Sequence, residues 1–353
     1  MSDKVRIGFV GSGFMGQKAH LDNYVTIPEC EIVALAEGRQ ATAELAAARY
    51  RIPKVYPDHH AMLAAEDLDA VVAIMGYGLH ASVVPDILAA GKHCLTEKPM
   101  CIGAEAGKRI AELAEAKGVI HYVGYMKRSA PATQAAVKTI GEWKASGQFG
   151  AMKYLRASMP PGDWLFSIEH PVSAGDAPPP YEGESWEGFP AWMDERTAND
   201  YNAFVNYYIH QVNLIRYLLG EDYHVEWVDP TSAVLTARSE SGVPVILEMQ
   251  GYGMRDDWEE HYRVVFDNGK VELEIPSPMA RQRGGAVAIF RGGDVQSYER
   301  PTVGPHWPFL EQARHFVRCV KGEDTPRVPV WDGVKDLEVA EEYAKCLAAA
   351  RAR

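Results

Sequence analysis

The sequence predicts an α/β protein of two domains. A doubly wound parallel sheet comes first, then an α+β domain built on a large, open, mainly antiparallel sheet. Three observations carry this. From Val5 to Tyr125 short apolar runs alternate with helical patterns, as βαβ units with right-handed crossovers require. After residue 218, strand-like runs follow one another directly, separated by turn signals such as Asn268-Gly269, and consecutive hairpins of this kind build an antiparallel sheet. At 353 residues the chain is too long for one small domain and comfortable for two cores. The boundary falls near Lys127-Arg128, giving domains 1–128 and 129–353.

The first strand, Val5-Arg6-Ile7-Gly8-Phe9-Val10, runs into Gly11-Ser12-Gly13-Phe14-Met15-Gly16. This is G-x-G-x-x-G after a strand and opening a helix, the setting of a dinucleotide site. Gly11 permits the tight turn, Gly13 lets backbone approach a pyrophosphate, and Gly16 lets helix and strand pack closely. The helix amino end supplies unpaired N–H groups. The second strand, Glu31 to Ala36, ends in Glu37, roughly twenty residues past the last glycine, where an acid grips the ribose hydroxyls of NAD. Arg39 follows at once. It is placed either to accept the 2′-phosphate of NADP or to cover the adenine face; NAD is the expected cofactor and NADP the alternative.

The alternation continues. Ala41 to Ala48 is a helix, Pro53 and Pro57 break it, and a short helix surrounds Met62-Leu63. Asp69 to Met75 is a buried strand, and His80 to Ala90 a helix stopped by Gly91. His93-Cys94-Leu95-Thr96 is a strand ending in Glu97-Lys98-Pro99. Lys98 therefore stands at a carboxyl-end rim, where open α/β sheets bind ligands, in the extended or turn conformation that a following proline imposes. Ala104 to Lys117 is helical and ends at Gly118, and Val119 to Tyr125 is the sixth strand.

The second half changes character. A helix from Ala132 to Lys144 precedes the strand Ala151 to Arg156. Pro160 to Asn199 is irregular and rich in Pro, Gly and Trp, and a long loop in a compact domain is usually functional or disordered. Trp164, Trp186 and Trp192 argue for order, and their faces suit either sugar rings or packing of the loop itself. A helix from Asn202 to Leu218 follows, then strands including Val243 to Leu247, Tyr262 to Phe266 and Val287 to Phe290. Trp331 to Arg351 reads mostly as a helix, available to pack back on the first domain. On the helix from Asn202, Asn206, His210 and Asn213 stand at i, i+4 and i+7 and share a face. Interleaved with Phe204, Val205, Ile209 and Val212, they need a polar place to point, and the expected place is the cleft between the domains.

The net charge of −12 argues against a nucleic-acid partner. Five cysteines form no C-x-x-C pair and leave an odd one over, which reads as reduced thiols in a cytoplasmic protein. No His/Cys/Asp cluster has metal-ligand spacing, so no metal is expected. The start, Met1-Ser2-Asp3-Lys4, leads into the first strand, which predicts no signal peptide. No apolar run reaches membrane-spanning length.

The chain resembles the Gfo/Idh/MocA oxidoreductases over nearly its whole length. The resemblance rests on Gly11 to Gly16, Gly78-Leu79-His80, Ala89-Ala90-Gly91-Lys92-His93, Glu97-Lys98-Pro99 and His210-Gln211-Val212-Asn213-Leu214-Ile215-Arg216-Tyr217-Leu218-Leu219-Gly220. It implies a Rossmann domain, a second domain with a large open sheet, and nicotinamide-dependent hydride transfer at a ring hydroxyl of a sugar, glycoside or cyclitol. It also implies dimers or tetramers built partly on the face of that sheet. Lys98 and His210 match the family's catalytic lysine and histidine. The cofactor set it implies is Gly11, Gly13, Phe14, Met15, Gly16, Glu37, Arg39, Tyr77, His80, Glu97 and Lys98. On the substrate side stand Asn206, Asn213 and Trp164, with Arg128 and Arg156 as candidates for an anionic substituent.

Two departures matter. The family usually carries aspartates where this chain has Asn206 and Asn213, and Pro-Asn where it has Gly76-Tyr77. A carboxylate near Lys98 and His210 would raise both pKa values; neutral Asn206 removes that pull, so Lys98 shares or takes the base role. Two other readings stay open. One is a redox-neutral glycosidase that oxidises, eliminates, adds water and reduces with tightly held NAD. The other is a non-catalytic dinucleotide sensor, against which the presence of both Lys98 and His210 argues.

Overall fold

A computed structural model describes residues 4–160, 162–165, 168–181, 183–253 and 257–352. Met1, Ser2 and Asp3, on which the reading of the amino end rests, lie outside the described residues, as do Pro161, Phe166, Ser167 and Glu182 of the tryptophan-rich segment. The chain forms two compact units. The first takes residues 1–125, 169–190 and 309–337; the second takes 126–168, 191–308 and 338–353. These units differ from the two-block reading 1–128 and 129–353: the opening block ends at Tyr125, and residues 169–190 and 309–337 group with the first unit.

In the first unit, β1 (Val5–Val10), β2 (Cys30–Ala36), β3 (Val55–Tyr56), β4 (Ala70–Ala73), β5 (His93–Thr96) and β6 (His121–Val123) form a parallel sheet in the order β3-β2-β1-β4-β5-β6. Ile7, Phe9, Val71, Val72 and Leu95 have no exposed surface, as strands covered on both faces require. The strand order reverses at β1, whose neighbours are β2 and β4, so ligands are expected at the carboxyl ends there. The glycine loop leads into a π-wound turn over Gly16–Leu21 that closes as α1 (Asp22–Tyr24). Then come α2 (Gln40–Tyr50), α3 (His59–Ala65), α4 (His80–Ala89) and α5 (Ala104–Lys117), the last ending at Gly118 with φ +64°.

The second unit contains α6 (Pro131–Ser146), β7 (Met152–Ser158), α7 (Glu195–Leu219), β8 (Tyr223–Val228), β9 (Val234–Ser239), β10 (Pro244–Glu248), β11 (His261–Phe266), β12 (Gly269–Glu274), β13 (Ala286–Arg291) and β14 (Ser297–Glu299). Its eight-stranded sheet runs β14-β13-β12-β11-β7-β10-β9-β8, antiparallel throughout except for β7 beside β10 among the described residues. Leu155, Ala157, Val245, Leu247, Tyr262 and Val264 alternate onto the buried face, and α6 and α7 supply the helical layer. The opposite face carries paired charges, among them Arg156 with Glu248 and Arg263 with Glu272. The β11–β12 turn is Asp267-Asn268, one residue ahead of the Asn268-Gly269 signal.

Helix α7 starts seven residues earlier than the pattern from Asn202 suggests, because Asp194 caps it: its carboxylate accepts from the Thr197 N–H at 2.8 Å. Helix α8 (Pro308–Val320) buries Phe309, Ala313, Phe316 and Val317. These four stand at i, i+4, i+7 and i+8, the spacing of one helical face. Helix α9 (Val330–Arg351) closes the chain.

Candidate functional site

The glycine loop fits a pyrophosphate. Gly11 has φ +87°, and a Cβ there would lie 2.2 Å from the Ile74 carbonyl oxygen, so no other residue fits the turn. A Cβ on Gly16 would lie 2.7 Å from the Gly11 carbonyl oxygen, while one on Gly13 would meet nothing within 4 Å. Backbone at Gly13 is therefore open to a ligand's approach, between buried Ser12 and half-buried Phe14.

Glu37, at the end of β2, is held by donors. The Ser12 N–H and hydroxyl both donate to its Oε2 at 2.9 Å, and Arg39 donates from its N–H (3.1 Å), Nε (2.9 Å) and Nη2 (2.6 Å). Burial alone would raise the Glu37 pKa; the bonds from Arg39 and Ser12 outweigh it and hold the carboxyl below its ordinary value. Glu37 is therefore an oriented carboxylate beside Ser12 of the glycine loop, and Arg39 has both ends of its fork committed to it.

A strap that no local pattern announces lies along this unit. Val172 exchanges two bonds with the Gln17 side chain (2.9 and 3.0 Å), and the Ala174 N–H donates to Thr42 Oγ1 at 3.0 Å. Asp176 caps α2, the Tyr181 hydroxyl donates to the Ser82 carbonyl at 3.1 Å, and Arg109 lies 3.9 Å over the Trp186 ring. The Glu187 carboxylate accepts from the Ala81 N–H (2.7 Å) and the Ile102 N–H (2.9 Å), and burial holds its pKa up. Trp186 is thus a packing residue of the first unit.

Lys98 is half-buried two residues past the end of β5. Its neighbours are fixed: Glu97 Oε1 meets His20 Nε2 at 2.9 Å, Glu97 Oε2 accepts the Lys98 N–H at 3.3 Å, and the Lys98–Pro99 peptide is cis. His20 carries no sequence signal of its own; its part follows from the fold setting the first helix against the end of β5. His80 has no exposed surface, and its Nδ1–H donates to the Pro99 carbonyl at 3.0 Å. Burial pushes its pKa down to about 4, so it is neutral. Tyr77 is half-buried on the short 3₁₀ turn Tyr77–Leu79 ahead of α4.

In the second unit the polar stripe of α7 grades from exposed Asn206 through half-buried His210 to Asn213, which is 1% exposed. Asn213 and Arg128 meet in the interior: Arg128 is 2% exposed, donates from Nε to Asn213 Oδ1 at 2.7 Å and stacks on Tyr217. Arg156 lies on the helix-free face of the sheet, alternating with Leu155 and Ala157, and is bidentate to Glu248 at 3.0 and 2.7 Å. Trp164 is half-buried in the second unit, and Trp192 is 43% exposed with Lys345 4.9 Å above its ring.

Two further groupings are products of tertiary structure. Glu260, fully buried, receives Lys127 Nζ at 2.7 and 2.6 Å, Gln211 at 2.9 Å and the Tyr262 hydroxyl at 2.6 Å. In the first unit His59, His60 and Asp86 bring metal-ligand atoms within 4.8 Å of one another, a grouping that sequence spacing does not reveal.

Comparison with known proteins agrees with this geometry. Residues 5–125 match the family described as "Oxidoreductase family, NAD-binding Rossmann fold". The chain is 34% identical to the inositol 2-dehydrogenase/D-chiro-inositol 3-dehydrogenase of Lacticaseibacillus casei, over 93% of this chain and 88% of that protein. It is 25% identical to the scyllo-inositol 2-dehydrogenase (NAD(+)) of Bacillus subtilis, over 96% and 93%. The crystal structure of an aldose-aldose oxidoreductase from Caulobacter crescentus has the same fold, with a TM-score of 0.73, 20% identity, and 99% and 98% of the two chains covered.

Proposed function

The chain belongs to the Gfo/Idh/MocA oxidoreductase family, and from that premise we propose that it oxidises a ring hydroxyl of a cyclitol, sugar or glycoside with NAD as acceptor. The observation that carries this reading is Lys98. It stands half-buried at the carboxyl end of β5, in the unit that holds the glycine loop and Glu37, with its neighbours fixed by His20 and His80. The inositol dehydrogenase relatives support a cyclitol as the first substrate to try.

When bound, the nicotinamide supplies the hydride acceptor. The chain's own residues do the rest. Glycine-loop N–H groups take the pyrophosphate, and Glu37 accepts from the ribose hydroxyls. Lys98 or His210 removes the hydroxyl proton, assistance worth about 10²–10⁴-fold. Asn206, one helical turn before His210, offers a neutral amide to a substrate hydroxyl or to the imidazole; Trp164 offers an apolar face. We assign the protein to the cytoplasm on its five free thiols. We expect a homo-dimer or homo-tetramer that uses the helix-free sheet face. Among the described residues no helix is long and apolar enough to cross a membrane.

The redox-neutral glycosidase reading draws support from one observation. The strap is pinned to Gln17, Thr42 and Ser82, and a strap lying over a bound cofactor would slow its release. One experiment separates the two. The protein is incubated with NAD and a panel of cyclitols, sugars and aryl glycosides, and nicotinamide absorbance and aglycone release are followed together. Net NADH with a cyclitol or free sugar is the expected result; aglycone release without net NADH would establish the glycosidase instead.

A further inference from the structure

We propose that Asp176 makes this chain discriminate against NADP, by seating its own carboxylate on the helix end where a 2′-phosphate would look for donors. The inference rests on reading the first unit as a dinucleotide site.

Three residues separate the end of β2 from α2. The first turn of a helix has N–H groups that no intrahelical carbonyl can reach, and its positive end attracts anions. Arg39, the residue before α2, gives the helix no side-chain cap. Asp176 does so from far along the chain: Oδ2 accepts from the Ala41 N–H (3.0 Å) and the Thr42 N–H (3.3 Å), and Oδ1 accepts from the Thr42 hydroxyl. The strap holds it there. The Ala174 N–H donates to Thr42 Oγ1 at 3.0 Å, and Pro179 packs so closely on Gly38 that a Cβ there would lie 2.8 Å from Pro179 Cδ.

In dinucleotide folds an acid at the end of the second strand takes the ribose hydroxyls, while a nearby arginine accommodates a 2′-phosphate. Both routes to the phosphate are closed in this chain. Arg39 has its fork on Glu37, and the amino end of α2 has its donors on Asp176. An arriving phosphate would displace one carboxylate and face two, Glu37 and Asp176, against a single guanidinium. Asp176 is charged at neutral pH, because the Thr42 hydroxyl and N–H hold its pKa below the ordinary value. NAD brings only hydroxyls and pays none of this repulsion. Selectivity thus comes from occupying and charging the site against the wrong ligand.

The test is equilibrium binding of NAD and of NADP, by calorimetry on the full chain without substrate, for the natural protein, Asp176→Asn and Asp176→Glu. The natural protein is expected to prefer NAD. Asp176→Asn, which keeps a hydrogen-bonding cap without the charge, should tighten NADP about tenfold and leave NAD within about threefold. Asp176→Glu should keep the natural preference. An unchanged NAD/NADP ratio in Asp176→Asn would overturn the proposal, as would equal weakening of both ligands, which would make Asp176 a structural cap only. Equal affinity of the natural protein for both ligands would also overturn it. Binding of neither ligand by the natural protein would remove the dinucleotide reading itself.

Discussion

The two units use their most conspicuous charges differently. The first buries neutral histidines and commits single carboxylates to N–H groups: Glu37 to Ser12 and Arg39, Asp176 to α2, Glu187 to α4. The second buries the ion pair of Lys127 with Glu260 and, among the described residues, carries cross-strand pairs such as Arg156 with Glu248 and Arg263 with Glu272 on an open sheet face. A carboxylate oriented by backbone donors has a fixed direction, and that is useful for recognising a ligand. A surface ladder of pairs has little individual value, and it suits contact with another surface. The contrast separates charges that specify from charges that decorate.

The contrast can be broken at several points. The largest effect is expected at Glu260. Glu260→Ala leaves Lys127 buried without its partner and should cost about 3–5 kcal/mol in denaturant unfolding. A cost near that of a surface pair would show that the interior is wetter than its burial implies.

Acid is expected to attack the first unit. His80, His121 and His315 all belong to it, and burial pushes them down to about 4, 3 and 4. Unfolded histidine titrates near 6.5, so protonation favours the unfolded chain, at about 1.4 kcal/mol for each unit of depression. Their contribution is complete above about pH 6.5 and is lost as pH falls from there towards 4. Hydrogen exchange should show the first unit opening before the second over that range; simultaneous opening would contradict the assignment.

Smaller effects sharpen the picture. Asn206→Asp places a carboxylate one turn from His210 and favours the imidazolium. The acidic limb of kcat/KM should therefore move to higher pH, and an unmoved limb would end the argument from the neutral asparagine. Arg156→Ala, on the sheet face, should change stability by only about 0–1 kcal/mol and leave turnover with NAD unchanged. A drop in turnover would restore Arg156 to the substrate side.

Much of this was legible in the residues. Gly11, Gly13, Gly16 and Glu37 announce themselves because their roles are local: a turn, an approach, a close contact and an acid at fixed spacing. The parallel sheet follows from alternation, and the hairpins from turn residues. What was not legible depends on long-range closure. Asp176 meets Thr42 across 134 residues, and nothing near either predicts the other. Arg128 and Asn213 each read as polar residues seeking a ligand, and their bond to each other across 85 residues is not announced by either. Arg156 was placed by strand alternation combined with which face the helices cover, and only the second of these needed the fold. His80 follows the same rule, since a histidine at a helix start looks ligand-facing until its burial is known.

The central claim is that Lys98 does chemistry on a substrate and is not merely a charge that holds the cofactor. The direct measurement compares Lys98→Ala with the natural protein in two assays on one preparation: NAD affinity by calorimetry, and turnover with the best cyclitol or sugar from the panel. The account predicts NAD affinity within about threefold and turnover reduced about 10²–10⁴-fold. Turnover retained at the natural rate, or a loss explained wholly by weaker NAD binding, would contradict it.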